Sequence, residues 1–533
     1  MEVDCIPFRK TGYFSPLICD YLDQKEALAP FYNRFPTLEN FEAQILEKQK
    51  TYDSNQRAVL VNSLRNQYRG FELSEATRTN IIYLGKKETF TVVTGHQLNL
   101  FTGPLYFLYK IVSTLNMVDR LREKYPHFNF VPVYWMATED HDFDEINFFN
   151  FKGQKVQWNQ DATGAVGRRS TRGLDEVLET WSARLDDSVH AKKLIELFTT
   201  SYLEQDQLAE ATRFLVNTLF GKYGLVIVDG DDADLKRLLV PYAKKDIFEK
   251  IPFAQVSRSI RLLSQVSDTY KIQVNPREIN YFYLKEGLRE RLVFKDDFYA
   301  VNNTNIVFSQ SELEDELEKH PERFSPNVIA RPLYQEVILP NLSYIGGGGE
   351  LAYWLELKSY FDTLGVSFPI LLLRNSALLM TEKQGDKIKK LQLDSSDLFL
   401  KQTSFINKKI REISNVDINF TPQKKHLEKQ FALLYDLAEQ TDSTFIKAVK
   451  AQEIKQKKGL DVLEKRLLKA QKRKLKDHVV RMTDIQNELF PNQSLQERQL
   501  NFSEAYLEIG PKLIDWLLAH LNPLESSFLI LRH

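Results

Sequence analysis

Cysteine and long apolar runs are scarce in this sequence. Its 533 residues include two cysteines, Cys5 and Cys19, which are too few for a disulfide framework. No apolar run approaches the ~18 residues that a membrane-spanning helix needs. The N-terminus carries Glu2 and Asp4 instead of the basic head and apolar body of a signal peptide. We therefore expect a cytoplasmic protein with no membrane partner.

An excess of charge of either sign is also missing, since 71 Lys and Arg stand against 72 Asp and Glu. Nothing in the overall charge therefore indicates a nucleic-acid partner. Cations are nevertheless concentrated in residues 447–476, where 12 Lys or Arg accompany 3 Asp or Glu. We interpret this stretch as the solvated face of a coiled coil, with contact to a nucleotide phosphate or to an acidic partner as the alternatives.

What the sequence does contain is a set of short, continuous apolar runs. Residues 91–94, 130–136, 225–229 and 368–373 are such runs, and helical patterns separate them. Continuous runs are typical of parallel strands that are covered on both faces. Their alternation with helices predicts a doubly wound α/β fold, whose ligands bind outside the carboxyl ends of the strands.

A polar loop follows the first of these predicted strands. It contains Gly95 and Gln97 and ends in a second turn at Gly103, and Pro104 then stands where a helix should begin. A strand, a loop and a helix N-terminus in this order direct backbone N–H groups toward an anion. We expect a phosphate or carboxylate near these residues, and an ordinary turn is the alternative.

The segment 139–145 holds six acidic or imidazole side chains in seven residues at the end of the second predicted strand. Carboxylates in this number fit a Mg²⁺ site, an amine-binding site, or a general base with His141 as proton carrier. The alternative is a solvated turn that caps the next helix. The segment lacks the His-x-x-x-His spacing of a zinc helix, so we predict no zinc.

Four consecutive glycines, residues 346–349, precede Glu350 and a helix predicted over residues 351–364. They lack the Lys-Ser/Thr ending of a P-loop. A run of glycines costs backbone entropy, which argues for flexibility or for close approach of another group. A hinge, a ligand loop and a simple loop remain the three interpretations.

The chain divides into four predicted parts. Residues 1–88 form a helical part packed on the core, and residues 89–384 form the doubly wound core, with a small antiparallel meander at about 270–303. Residues 385–500 form a coiled-coil hairpin, and residues 501–533 return to the core. Heptad spacing favours an antiparallel hairpin over a long parallel rod, with Leu427, Phe431 and Leu434 on one arm and Leu463 on the other.

Three segments, residues 94–106, 139–147 and 346–355, resemble in their order the cysteine ligases of bacillithiol synthesis, the BshC family. The resemblance covers nearly the whole chain. It implies a Rossmann-like core related to nucleotidyltransferases and aminoacyl-tRNA synthetases, with connecting insertions and a coiled coil that makes a homodimer. It also implies addition of L-cysteine to the amine of glucosaminyl malate, with ATP or ADP as a ligand.

The residues and the resemblance together predict a site at the strand ends. Asp140, His141 and Glu145 are predicted to bind the amine and remove its proton. Arginine side chains and an amide are predicted to neutralise carboxylates. The predicted substrate- and anion-binding residues are Thr94, Gly95, His96, Gln97, Asn99, Gly103, Asp142, Asn147, Arg331, Gly347, Gly349, Glu350, Arg374 and Asn375. No metal ligand is assigned, and Mg²⁺ is the metal cofactor considered.

Two other classes of function fit the same sequence. The acidic segment 139–145 fits a metal-dependent hydrolase. The basic stretch 447–476 fits a non-enzymatic dimeric scaffold whose coiled coil docks a partner.

Overall fold

The structure is a computed structural model, and it describes residues 3–160 and 163–533. The strands of the described residues belong to four sheets. They are β1 Val3–Pro7, β2 Thr89–His96, β3 Asn129–Met136, β4 Phe148–Phe151, β5 Gln154–Gln157, β6 Val226–Asp229, β7 Tyr281–Lys285, β8 Leu288–Lys295, β9 Phe298–Val301, β10 Val307–Phe308, β11 Phe324–Pro326, β12 Asn341–Gly346, β13 Ile370–Leu373, β14 Ser376–Met380 and β15 Ser527–Arg532.

Helices lie between the strands along most of the chain. Up to residue 379 they are α1 Phe8–Thr11, α2 Pro16–Leu22, α3 Asn40–Thr51, α4 Ser54–Gln67, α5 Glu75–Tyr83, α6 Tyr106–Lys124, α7 Phe143–Ile146, α8 Leu174–Ser182, α9 Val189–Phe198, α10 Leu208–Phe220, α11 Ala233–Ile247, α12 Ile251–Val266, α13 Gln310–Lys319, α14 Ala330–Ile338, α15 Gly348–Trp354 and α16 Lys358–Leu364. They continue as α17 Glu382–Lys390, α18 Gln402–Ile413, α19 Thr421–Ala438, α20 Ser443–Lys474, α21 Lys476–Leu489, α22 Gln496–Gln499, α23 Phe502–Ile509 and α24 Leu513–His520.

The central sheet is parallel throughout and has the strand order β13-β12-β2-β3-β6. The chain winds outward from β2, first to β3 and β6 on one side and then to β12 and β13 on the other. The predicted doubly wound parallel sheet is therefore confirmed. Strand order reverses between β2 and β12, which opens a crevice at the carboxyl ends of these strands.

Strand β12 is central to the sheet, yet no apolar run predicts it. Its sequence includes Asn341, Ser343 and Gly346 among the apolar residues, so it lacks the continuous pattern of its neighbours. Polar side chains are tolerated there because they are hydrogen-bonded, as when Ser343 Oγ donates to the Ile370 carbonyl at 2.8 Å.

Helices α3 and α6 pack on the sheet through one apolar cluster. Phe41 of α3 and Met117 of α6 are fully buried against Phe90, Phe130 and other strand residues. Burying a side chain of this size contributes roughly 1.5–3 kcal/mol. This packing positions α6, and with it the residues that enter the crevice.

A second, antiparallel sheet has the strand order β10-β9-β8-β7-β11. It contains the predicted meander, which is confirmed in strands β7, β8 and β9. The structure adds β10 and β11 at its two edges. Strand β11 leads toward α14 and hence back to the central sheet.

The described chain separates into two compact units. One contains residues up to 379 together with 496–531 and 533, and the other contains residues 380–495 with Arg532. No helix within the described ranges is long and apolar enough to cross a membrane.

In the second unit, α19 and α20 form an antiparallel hairpin, as predicted. Lys424, near the start of α19, lies 3.1 Å from Glu464, far along α20, whereas Tyr435, near the end of α19, donates to Glu453 at 2.9 Å. α20 continues without a break through Gly459.

The hairpin core differs in part from the predicted seam. Phe431, Ala438 and Val449 form its buried cluster, with Leu427 packed against it. Leu434 and Leu463 were predicted to lie in the seam, and they are 40% and 51% exposed. The heptad assignment was wrong at these two positions because the helices meet along a neighbouring stripe.

Candidate active site

A cleft of about 700 Å³ opens at the carboxyl ends of β2, β3 and β12. It lies where the strand order reverses, at the place where ligands of doubly wound sheets bind. Its volume is in the range of small-molecule sites. The loop after β3 supplies acidic residues to one wall, whereas basic residues of the opposite wall come from α6, α14 and the end of β13.

The loop after β3 forms the acidic wall, which includes Glu139, Asp140 and Asp142. Both carboxylate oxygens of Asp140 accept hydrogen bonds, one from Gln97 Nε2 at 2.9 Å and one from the His141 backbone at 2.8 Å. Burial opposes ionisation of Asp140, but the hydrogen bonds from His141 and Gln97 outweigh it and lower the pKa of the carboxyl. Asp140 is therefore a fixed negative charge, suited to holding a cation.

His141 occupies the outer part of this wall. Arg289 Nη1 lies 2.5 Å from His141 Nδ1, and a guanidinium can only donate. Nδ1 is therefore an acceptor, and the neutral ring carries its hydrogen on Nε2. This geometry disagrees with the proton-carrier role predicted for His141, because the basic nitrogen already accepts a hydrogen bond.

Glu139 faces the same cleft from a more buried position. Lys236 Nζ donates to its Oε1, whereas no residue of the described chain hydrogen-bonds its Oε2. Burial raises the pKa of the Glu139 carboxyl above its usual range, and the nearby Lys236 ammonium offsets the increase only in part. Among the acidic residues of this wall, Glu139 is thus the one with a free oxygen and a raised pKa.

An ion network that is buried at Lys236 and Asp231 and exposed at Arg168 holds the acidic loop from behind. Lys236 Nζ also lies 3.4 Å from Asp231 Oδ1, and Arg168 donates to both oxygens of Asp231 at 2.6 and 2.7 Å. A bidentate arginine pair fixes geometry as well as charge. The network therefore fixes the position of Glu139 relative to the sheet.

The opposite wall carries cations, two of which are already paired. Lys110 Nζ lies 2.6 Å from Glu350 Oε2 and donates to the Gly95 carbonyl at 2.7 Å. Arg374 lies 2.8 Å from Glu497. These charges are compensated within the protein and do not require a ligand.

Arg331, in the first turn of α14, is different. Its terminal nitrogens donate to Gln335 at 3.1 Å and to the Tyr353 hydroxyl at 3.4 Å, and its guanidinium lies 5.8 Å from the centre of the Tyr344 ring. No carboxylate of the described residues lies within 4.0 Å of it. A half-buried cation with neutral partners favours an anionic ligand.

His96 ends β2 at the floor of the cleft. Its ring is almost completely buried, and Nε2 has no hydrogen-bond partner among the described residues. Burial lowers the pKa of His96 well below its usual range, and the positive charges of Lys110 and Arg374 lower it further. The ring is neutral, and its Nε2 is a buried polar atom without a partner among the described residues.

The structure brings eleven of the predicted site residues together in the cleft. They are Gly95, His96, Gln97, Asp140, His141, Asp142, Arg331, Gly347, Gly349, Glu350 and Arg374. In the glycine loop, Gly347 N donates to Glu350 Oε2 at 2.8 Å. The glycines thus help to position the carboxylate that neutralises Lys110.

Other predicted site residues do not line the cleft. Thr94 Oγ1 donates to a β12 carbonyl, Asn375 bonds Ser113 and Asn522, and Asn147 is buried. Glu145 is nearby, since Gln97 Nε2 donates to its Oε2 at 3.1 Å.

The predicted anion site at the start of α6 is occupied by the protein itself. Leu105 N donates to the Leu500 carbonyl at 2.7 Å, and Asn501 Nδ2 donates to the Gly103 carbonyl at 2.7 Å. Gly103 has φ 63°, and a Cβ there would lie 2.5 Å from Asn99 Cβ. Asn99 and Gly103 therefore pack against each other, and α6 begins at Tyr106 rather than at Pro104.

Ligand atoms of Asp140, His141 and Asp142 lie within 4.8 Å of one another. A carboxylate and imidazole cluster of this size is a common arrangement on exposed loops without a metal. Because both oxygens of Asp140 and Nδ1 of His141 already accept hydrogen bonds, we assign no metal to these residues.

Lys110, Glu139 and Arg289 are among the cleft residues that the sequence analysis did not assign to the site. Lys110 lies within the apolar pattern of α6, and Glu139 is indistinguishable in the sequence from the other acids beside it. Arg289 belongs to the antiparallel sheet, far along the chain from the β3 loop. No motif connects these positions, so the fold is needed to bring them together.

Comparisons with known proteins agree along the whole chain. The family model described as "Bacillithiol biosynthesis BshC, N-terminal Rossmann-like domain" matches residues 1–375, and "Bacillithiol biosynthesis BshC, C-terminal coiled-coil domain" matches residues 377–533. These matches support the predicted Rossmann-like core and coiled coil.

Relatives named "Putative cysteine ligase BshC" match over their full length. The protein of Flavobacterium johnsoniae is 58% identical and covers 100% of both chains. That of Christiangramia forsetii is 58% identical over 100% of this chain and 99% of its own, and that of Bacillus cereus is 28% identical over 97% of each.

A solved structure described as a putative arginyl-tRNA synthetase from Campylobacter jejuni aligns over 89% of this chain and 99% of its own, at 10% identity and a TM-score of 0.21. That score is too low to carry an argument. The two family models and the full-length relatives are sufficient, and they show that the chain belongs to the BshC family.

Proposed function

We propose that this chain is a ligase that joins the carboxyl group of L-cysteine to the amine of glucosaminyl malate and so forms the amide of bacillithiol. The names of the full-length relatives support a cysteine ligase. The description of the matching family supports bacillithiol biosynthesis as its setting. We place the reaction in the cytosol.

The observation that carries this proposal is the division of charge across one cleft. Asp140 and Asp142 stand on one wall as negative groups, and Arg331 stands on the other as a cation without a carboxylate partner. Glucosaminyl malate carries an ammonium and carboxylates, so a molecule of this class complements both walls at once. In this arrangement the acidic wall binds the ammonium, and Arg331 binds a malate carboxylate.

Amide formation requires the free amine, because an ammonium has no lone pair. We assign the removal of its proton to Glu139, which lines the cleft, whose Oε2 has no hydrogen-bond partner among the described residues, and whose pKa is raised by burial. Asp140 is a weaker candidate, because both of its oxygens accept hydrogen bonds and its pKa is lowered. The proposed base, Glu139, therefore directly precedes Asp140 and His141, which the acidic motif predicted for this role.

A carboxylate is a poor electrophile, so the carboxyl group of cysteine needs activation. We propose ATP as the activator, with Mg²⁺ neutralising its phosphates. The product of activation is a mixed anhydride between cysteine and phosphate or nucleoside monophosphate. The residues of this chain bind, orient and deprotonate the amine, and the amine then attacks the mixed anhydride.

We further propose that two copies of the chain pair through the coiled coil. Leu433 and Leu437 of α19 are 66% and 57% exposed, and they stand one helical turn apart on the same face. A second copy that supplies the same face would bury them both. The coiled-coil description of the matching family agrees with this role.

The test is mass spectrometry of purified protein with glucosaminyl malate and L-cysteine, with and without ATP. A cysteinyl amide that forms only with ATP supports the ligase and an activated carboxyl intermediate. Absence of the amide from folded protein with all three substrates contradicts the proposal. Cleavage of a preformed amide that depends on Mg²⁺ would instead favour the hydrolase built on segment 139–145.

A further inference from the structure

Arg289 is the second partly buried arginine of the cleft that forms no ion pair with a carboxylate of the described residues. Arg289 lines the cleft beside the acidic loop, and its hydrogen-bond partners are the neutral His141 Nδ1 at 2.5 Å and Ser325 Oγ at 3.4 Å. No carboxylate oxygen of the described chain lies within 4.0 Å of its guanidinium. Its charge is therefore not neutralised by a direct ion pair.

The antiparallel sheet holds Arg289 firmly in this position. It is the second residue of β8 and pairs with Leu284 of β7, and its guanidinium lies 3.9 Å from the centre of the Phe282 ring. The turn before it packs closely on another loop, since a Cβ on Gly164 would lie 3.3 Å from the Gly287 backbone. A cation on a rigid strand keeps its position without a bound partner.

The unused donors of Arg289 suit an anion. A guanidinium has five N–H groups, and its three contacts, one to His141 and two to Ser325, leave one N–H on each terminal nitrogen. Two adjacent N–H groups match the oxygens of a phosphate. Burial also removes part of the hydration of Arg289, and this lowers its pKa, so its interaction with an anion is less screened than at a surface.

Three acidic residues lie near Arg289 without pairing with it, namely Glu139, Asp140 and Asp142. In the proposed ligase, the substrate ammonium is held by the two aspartates and gives its proton to Glu139. Proton transfer leaves Glu139 neutral, while Asp140 and Asp142 keep their negative charges. Arg289, which forms no direct ion pair with any of the three, is a cation that can respond to new negative charge in the cleft.

We propose that Arg289 is a catalytic residue whose free N–H groups stabilise the negative charge that gathers on the leaving phosphate during amide formation. This inference rests on the proposed function. It assigns to the antiparallel sheet a direct part in the reaction, as the element that presents this cation to the end of the central sheet.

Amide formation in the cleft combines two proton transfers with one bond formed and one bond broken. A proton moves from the ammonium to Glu139 Oε2, and the electron pair stays on nitrogen. The amine nitrogen forms a bond to the carbonyl carbon of the mixed anhydride, and the bond from that carbon to the phosphate oxygen breaks. The phosphate leaves with the electron pair, so its charge increases next to Arg289, and the nitrogen loses its remaining extra proton to the departing phosphate.

The experiment compares wild type with Arg289→Ala, Arg289→Lys and Arg291→Ala. Arg291 is two residues along the same strand, is exposed and does not line the cleft, so it is the matched control. Rates are measured with glucosaminyl malate, L-cysteine and ATP. Binding of inorganic phosphate, a probe for the phosphate group that either leaving group carries, is measured separately by calorimetry.

We expect Arg289→Ala to lower kcat by about 10²–10³-fold, with the KM of each substrate changed less than threefold. Guanidinium chloride at millimolar concentration should restore part of the lost rate, and Arg291→Ala should remain within twofold of wild type. The Kd of inorganic phosphate should rise at least about tenfold in Arg289→Ala and stay constant in Arg291→Ala.

An unchanged phosphate Kd in Arg289→Ala would overturn the inference, and so would a kcat within threefold of wild type. If Arg289→Ala fails to fold, Arg289→Lys decides, because it keeps the charge and loses the paired donors; an unchanged phosphate Kd in that variant would count against the proposal. If wild type makes no amide but binds phosphate through Arg289, the ligase assignment fails while the anion site stands.

Discussion

The ammonium group of Lys110 lies 2.6 Å from the carboxylate of Glu350, so one ion pair joins α6 to the first turn of α15. These elements flank the point where the strand order of the central sheet reverses. Lys110 is almost fully buried and Glu350 is about three-quarters buried. Burial lowers the pKa of Lys110, and the Glu350 charge offsets this in part.

Glu350→Gln is therefore expected to destabilise the fold, because it leaves Lys110 as a buried charge without a counterion. The expected loss is about 2–3 kcal/mol, below the value for a fully buried pair. Thermal unfolding measures it. The double variant Lys110→Met/Glu350→Gln should recover most of the loss, whereas the exposed control Glu286→Gln should match wild type. Equal melting of Glu350→Gln and wild type would show that the pair does not support the cleft.

Arg331 provides a test of substrate binding. Arg331→Ala removes a charge-assisted hydrogen bond worth roughly 1.5–3 kcal/mol, so the KM of glucosaminyl malate should rise about 10–100-fold. The KM of L-cysteine should change less than threefold. Arg258→Ala, at an exposed position of α12, is the control. A larger effect on L-cysteine than on glucosaminyl malate would place the malate carboxylate elsewhere.

The sequence predicts the central sheet well where strands are continuous apolar runs, as in β3 and β6. It fails for β12, whose polar residues are hydrogen-bonded inside the sheet and interrupt the pattern. Local turn chemistry also misled the prediction at Gly103. The glycine there accommodates the Asn99 side chain and a positive φ, which a sequence cannot distinguish from an open anion loop.

The cleft shows the same limit. Gln97 and Asp140 could be predicted because each follows a strand end, and they do meet through a 2.9 Å hydrogen bond. Arg289 could not, because its position depends on how the antiparallel sheet docks beside the β3 loop. Long-range placement of this kind has no local sequence signal.

Asp246 gives a pH prediction about stability. It is fully buried in α11, its Oδ1 accepts from the Asn280 backbone at 2.9 Å, and burial raises its pKa to about 7. The native state therefore keeps a proton between pH 4 and 7 that the unfolded chain has lost. Protonated Asp246 therefore contributes to the free energy of unfolding in acid. This contribution falls by up to about 4 kcal/mol as the pH rises toward 7.

Asp246→Asn should remove most of that slope. Urea unfolding at pH 5 and pH 8, followed by tryptophan fluorescence, measures it, and all 5 tryptophans belong to the unit that contains Asp246. Glu249→Gln, at an exposed position of the next turn, should keep the wild-type slope. A variant slope equal to that of wild type would mean that Asp246 ionises freely in the native state.

If two chains pair through α19, a variant that disrupts this face should have the mass of a monomer instead of a dimer. Leu433→Glu/Leu437→Glu places charges on the exposed apolar face of α19, and a dimer held by that face should become a monomer. Light scattering after size exclusion measures the mass. Ala432→Glu, at an exposed position about 100° around the same helix from Leu433, should leave it unchanged. A wild-type monomer, or a double variant that stays dimeric, would contradict this interface.

Glu139 gives the sharpest test of the chemistry. A base must be ionised to accept a proton, so kcat should fall as pH drops through the raised pKa of Glu139, at a higher pH than for an ordinary glutamate of pKa about 4.3. Glu139→Gln should lower kcat by about 10²–10⁴-fold and abolish this acidic limb. The pH profile of kcat, measured with saturating substrates, shows both effects.

Asp144→Asn is the matched control, because Asp144 is exposed on the same loop and does not line the cleft. Asp144→Asn should keep the wild-type kcat and the wild-type decrease of kcat at acidic pH. Glu139 also contacts Lys236, so a purely structural role must be separated from proton transfer. If Glu139→Gln only disturbed the structure, kcat would be lower at every pH and would still decrease at acidic pH as in wild type. If Glu139→Gln retains the limb, the proton goes to another group.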